Sequence, residues 1–191
     1  MNSTASPSLR RGVVLADLLP GALVRDVTLV GAFALAIGMS ARLAVPLPGT
    51  PVPVTAQTLV VLLGAAALGA RRAGFGATLY LVLGLAGTPW FTATGGATLG
   101  YIVGFVAAAA LVGRLAGSVA SRSILGTTAL MVLGNVVIYA FGASFLALHL
   151  GIGATQAIAL GVLPFLVGDA AKIALAAALL PASWRMVGHR G

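Results

Sequence analysis

Cysteine is absent from the chain, so disulfides and thiolate-held metal sites are excluded. Acid is scarce: Asp17, Asp26 and Asp169 are the whole set, and Lys172 is the single lysine. Charged residues make up 7% of the 191, against roughly 25% in a soluble domain. So little charge cannot clothe a water-facing surface. That excludes a soluble enzyme, a secreted disulfide scaffold and any sizeable domain outside a membrane. Hydrophobic residues are abundant, at 60%. A bilayer crossing takes about 20 apolar residues, so the chain is long enough for about six crossings and little else.

The net charge of +8 would suit nucleic acid or an acidic partner if it formed a stripe. It is instead scattered in ones and twos between apolar runs, without interleaved aromatics, so a nucleic-acid partner is excluded. Arg10-Arg11 precede an apolar stretch that Asp17 and Pro20 interrupt, with no small-residue cleavage site after it. Residues 1–26 therefore read as a retained N-terminal tail. Six apolar segments follow, at about 27–45, 54–70, 73–86, 97–116, 124–150 and 158–180, the last irregular at Pro164. The second and third are short, which predicts tilted or thin packing. Continuous runs of Ala, Leu, Val and Gly lack the alternation of an outer-membrane barrel. The expected fold is an all-α integral membrane protein with six transmembrane helices over 27–182, a short tail over 183–191 and both termini cytoplasmic.

Short cytoplasmic loops collect Lys and Arg. With the N-terminus inside, Arg10, Arg11, Arg25, Arg71, Arg72, Arg114, Arg122, Arg185 and Arg190 all fall on the cytoplasmic side. Only Arg42 and Lys172 do not, and the outer loops 46–53, 87–96 and 149–155 contain no Lys or Arg. The first of these holds four prolines, which stiffen it, and the second carries Trp90 and Phe91 before a Gly/Thr-rich stretch. A stiff loop beside a flexible aromatic one suits a lid over an outward-facing pocket; two plain connectors with interfacial anchors are the alternative.

Asp169 and Lys172 carry the chemistry. Three residues apart, they share one helical face in the outer half of the sixth segment. An intramembrane charge costs roughly 2.5 to 3.5 kcal/mol on insertion scales, so such residues face a cavity and find partners. An ion pair that only locks helix packing is the alternative, but an apolar pair would pack at least as well. Asn135 and Tyr139, at i and i+4 on the fifth segment, and Gln57 beside Thr55 add groups that suit a polar heterocycle or an amide-like ligand, or bond between helices. Arg42 near the outer end of the first segment reads as a snorkelling residue. Small residues at helical spacing line the first segment (Ala32, Ala36, Ser40) and the fourth (Gly96, Gly100, Gly104, Ala108), which permits close helix approach. The fourth row packs internally; the first can face a partner protein. The lone lysine follows Ala171 and makes no Gly-Lys-Ser/Thr loop, so the chain does not hydrolyse ATP itself. His149 and His189 are too far apart for a metal site. Gly168-Asp169 lacks the second membrane aspartate of a protease dyad, and Gly142-Ala143-Ser144 has no His on a separate helix to act as base. The chain is not expected to be an enzyme, and no cofactor is expected.

Several strings resemble the BioY family, the biotin-binding S components of energy-coupling-factor (ECF) vitamin transporters. They are Pro51-Val52-Pro53-Val54-Thr55-Ala56-Gln57-Thr58 with Leu62-Leu63-Gly64, the stretch 84–91 with Gly100-Tyr101-Ile102-Val103-Gly104-Phe105, and Gly134-Asn135 with Tyr139. Pro164-Phe165-Leu166-Val167-Gly168-Asp169-Ala170-Ala171-Lys172 is the most specific. The family's third loop is usually longer and ends in Gly-Pro-Thr-Gly-Gly-Tyr; here Ala97-Thr98-Leu99-Gly100-Tyr101 is shorter and lacks the proline. The resemblance implies high-affinity biotin capture and uptake across the plasma membrane. It also implies a transmembrane coupling protein and two ABC-type ATPases as partners, with Ala32 and Ala36 as the Ala-x-x-x-Ala contact. Asp169, Lys172 and Asn135 then offer hydrogen bonds to the ureido ring, with carboxylate pairing to Lys172 an equal possibility. Trp90, Phe91, Tyr101 and Tyr139 cover apolar ring faces. The rival is a proton-coupled secondary carrier for another small vitamin-like solute, which should have repeated halves or broken helices; no repeat is evident.

Overall fold

The computed structural model describes residues 23–88, 91, 96–117 and 123–188. Within them lie seven α-helices: α1 (Leu23–Ser40), α2 (Gln57–Leu68), α3 (Ala70–Leu85), α4 (Leu99–Ala116), α5 (Ile124–Leu150), α6 (Ala154–Gly161) and α7 (Leu166–Gly188). Single 3-10 turns at Gly96–Thr98 and Leu163–Phe165 precede α4 and α7. Helices satisfy every backbone group internally, which a chain this apolar requires. Four stretches are long and apolar enough to cross a membrane: Leu23–Ser40, Gly96–Ala116, Ile124–Leu150 and Ala154–Met186. Gln57–Leu68 is apolar but shorter, as the sequence suggested.

Local chemistry sets the ends. The Ser123 side chain caps α5 by accepting from the Gly126 N–H at 3.1 Å. Gly151 then stops it in a left-handed conformation at φ 66°. The predicted bounds of 124–150 match. The first segment differs: its helix begins at Leu23 and ends at Ser40. Beyond it, Ala44–Val45 (β1) pairs antiparallel with Val54–Thr55 (β2), and the Ala56 N–H extends the pairing to the Leu43 carbonyl at 3.2 Å. The expected sixth helix is two. Pro164 has no N–H to give, and Val162 at φ −129°, ψ −58° turns the chain between α6 and α7.

Helix α4 packs against α2, α3 and α5, and α7 against α5 and α2. Phe33 of α1 seats its ring over Gly64 and Gly76, where an added Cβ would lie 2.2 and 2.7 Å from ring atoms. Near the start of the same helix, Asp26 accepts from Arg72 of α3 at 2.9 Å and from Arg25 at 3.2 Å. Ala32 and Ala36 lie on the exposed side of α1. The tail up to residue 22, Arg122 and Arg190 lie outside the described residues.

Candidate functional site

The 46–53 loop, the first turn of α2, the 3-10 turn before α4, and helices α4, α5 and α7 line a cavity that is open at its mouth. One wall is apolar, built from Val52, Ile102, Phe105, Ile138 and Phe165. The other is polar. Asp169 and Lys172, one turn apart on α7, form an ion pair with Nζ 2.7 Å from Oδ1. Their side chains are 5% and 19% exposed. Thr58 of α2 closes a triangle with them: its hydroxyl accepts from Lys172 Nζ at 2.9 Å and donates to Asp169 Oδ1 at 3.2 Å. On the far side, the Tyr139 hydroxyl of α5 donates to Asp169 Oδ2. The carboxylate therefore accepts from three donors contributed by three helices. One ammonium hydrogen of Lys172 remains to be taken by a carbonyl, and the pair as a whole presents a donor beside an acceptor.

Tyr101 also lines the cavity. Its hydroxyl donates to the Gly161 carbonyl at 2.7 Å, tying α4 to the end of α6, and its ring meets Phe165 edge-on at 6.3 Å. Glycine at 142 makes room for that ring, since a Cβ there would lie 2.3 Å from it. Gln57 also lines the cavity, but its amide is engaged. Nε2 donates to the buried Tyr80 hydroxyl at 2.8 Å and Oε1 accepts from Thr55 at 3.2 Å. Tyr80 in turn packs on Phe91, with ring centroids 5.5 Å apart.

Of the residues singled out from sequence, the structure brings Asp169, Lys172, Tyr139, Tyr101 and Gln57 to one cavity. Phe91 is buried against Tyr80, and Asn135 is buried one turn along α5 from Tyr139; neither is among the lining residues. Among the described residues, no partner reaches Asn135 Oδ1. Trp90 lies outside the described residues. Thr58 was missed. A threonine in an apolar run carries no signal of its own, and only the fold brings it to a carboxylate 111 positions away.

The described residues contain no cluster of His, Cys, Asp or Glu able to hold a metal ion. The site is built to bind: a fixed donor–acceptor pair at one side, rings and branched aliphatics at the other.

Comparison with known proteins shows the family. The chain is 32% identical over 170 residues to the biotin transporter BioY of Rhizobium etli, which covers 81% of this chain and 90% of that one. To the biotin transporter BioY of Thermotoga maritima it is 33% identical over 161 residues, covering 81% and 92%. The fold is similar to a crystal structure of the S-component for biotin from an ECF-type ABC transporter. That match has a TM-score of 0.74 and 20% identity, and covers 85% of this chain and 92% of the other. The pattern of the BioY family matches residues 6–189, and the chain belongs to that family.

Proposed function

We propose that this protein is the biotin-binding S component of an ECF-type transporter and serves biotin uptake across the plasma membrane. Family membership and relatives named as biotin transporters support the solute. The observation that carries the reading is the Asp169–Lys172 pair set at the polar side of an otherwise apolar cavity.

Biotin has a ureido ring whose N–H groups donate and whose oxygen accepts, a thioether ring and a valerate carboxylate. An adjacent N–H and C=O edge matches a carboxylate and an ammonium 2.7 Å apart, each group meeting its complement. The valerate carboxylate at the same place would meet the charge of Asp169. The ureido ring therefore belongs at Asp169 and Lys172, and Phe105, Ile138, Phe165 and Tyr101 cover the ring faces.

Six crossings with cytoplasmic termini put the Asp169 end of α7 in the outer half of the membrane and the cavity mouth outward. The arginine distribution supports that orientation. The exposed Ala32 and Ala36 side of α1 gives a coupling protein a smooth face to dock on, and energy for uptake comes from ATPase partners. Mass spectrometry of the protein purified in detergent tests the reading: biotin should co-purify and exchange with labelled biotin. Absence of both, in protein that melts cooperatively, would overturn it.

A further inference from the structure

Thr58 touches both charges at once. Lys172 Nζ and Asp169 Oδ1 are 2.7 Å apart, and the Thr58 hydroxyl lies 2.9 Å from the first and 3.2 Å from the second. Toward Nζ it is an acceptor; toward Oδ1 it is a donor. The ureido edge of biotin has the same polarity, an accepting oxygen beside a donating N–H, and it addresses the same two atoms. At Nζ a hydrogen remains for the ligand, but Oδ1 has two lone pairs and already accepts from Lys172 and Thr58, so a ligand N–H aimed at Oδ1 must displace the hydroxyl.

We infer that the Thr58 hydroxyl is an internal competitor of the ligand, holding the second acceptor position of Asp169 Oδ1 and yielding it when biotin binds. This rests on the reading of the cavity as a biotin site. A further observation supports it. The Thr58–Asp169 bond, at 3.2 Å, is longer than the usual 2.5 to 3.0 Å of an O–H···O bond, whereas the Lys172–Asp169 contact is short. The triangle thus has one weak side, and it is the side the ligand must open. Thr58 therefore keeps two buried charges satisfied without a ligand, and binding is weaker than the pair alone would give.

The test is Thr58→Val, which keeps the side-chain shape and removes the hydroxyl. Biotin should bind it roughly three- to tenfold more tightly than it binds the parent, the size of one exchanged hydrogen bond. Melting temperatures in detergent give a second readout. The ligand-free variant should melt several degrees below the parent, since its charges have lost a partner, while the two biotin-saturated proteins should melt together. Thr58→Ser, which restores the hydroxyl, should close that gap. If Thr58→Val folds poorly, Thr58→Ala is read in the same way. Weaker biotin binding by the Val or Ala variant, or equal lowering of both melting temperatures, would make Thr58 a brace rather than a competitor and overturn the inference. A parent protein with no biotin-induced shift would remove the functional reading beneath it, a result that cannot be confused with the other two.

Discussion

Asp169→Asn is the sharpest perturbation available, because it changes charge with almost no change of shape. The carboxylate accepts from Lys172, Thr58 and Tyr139. An amide can accept at one atom only, so one of the donors on the two sides must face an NH2 group. Each lost hydrogen bond to a charged group costs about 1.5 to 3 kcal/mol. Lys172, 19% exposed, also loses its counter-charge, and breaking a buried pair costs about 3 to 5 kcal/mol. These overlap, so we expect about 3 kcal/mol of lost stability and at least a tenfold loss of biotin affinity, about 1.4 kcal/mol. Lys172→Ala should weaken binding to at least the same extent. A double variant, Asp169→Asn with Lys172→Met, separates site from scaffold. It leaves no unpaired charge, so most of the stability should return, while biotin affinity should not. The assay is melting and biotin binding on all four proteins in one detergent. A folded Asp169→Asn or Lys172→Ala variant that binds biotin like the parent would refute the reasoning and leave the pair a packing lock.

Reporters fused after Gly191 or placed within 114–122 should score cytoplasmic, and one inserted at Gly95 external; an external score at Gly191 would invert the assignment of sides. Ala32→Trp or Ala36→Trp should leave biotin affinity near the parent's while abolishing co-purification with the coupling protein and ATPases, because both positions are exposed on α1 away from the cavity. Lost biotin binding in a folded variant, or unchanged uptake, would move the docking face elsewhere. Gly142→Ala should push the Tyr101 ring, since the new Cβ would lie 2.3 Å from it, at a cost of about 1 to 3 kcal/mol in stability. An unchanged melting temperature would show that the ring moves freely.

The parts of this protein legible from sequence are those where one residue type has one physical use. Ser123 and Gly151 bracket an apolar run, and α5 falls between them. A carboxylate and an ammonium in a membrane segment must meet something polar, and Asp169 and Lys172 do. Where a residue has several uses the sequence was mute. Gln57 suited a ligand as well as it suited a neighbour, and its amide is held by Tyr80 and Thr55. The break before α7 was announced by Pro164, yet a separate helix over Ala154–Gly161 was not, because Ala154-Thr155-Gln156-Ala157 reads as part of the outer loop and Ile158 onward as the start of the sixth apolar run. The β1–β2 pair was invisible for a different reason. Two-residue strands flanked by prolines have too short a pattern to show a period.

That small pairing divides the outer surface into ground where the chain can change length and ground where it cannot. Ala44 faces Thr55 and Val45 faces Val54 across it, so the 46–53 loop is closed at its base. Gly49, at φ 85° with open space around it, sits at the far side of that closed loop. Residues added near Gly49 lengthen a loop whose ends are already joined, and the cost grows only slowly with length. A single residue added between Thr55 and Thr58 is another matter. It turns every later position of α2 by about 100° relative to the clasp. Thr58 would then leave α7, and Gln57 would leave Tyr80. The protein can thus lengthen its outer loop near Gly49 at little cost, while the positions from Thr55 to Thr58 are held to the count.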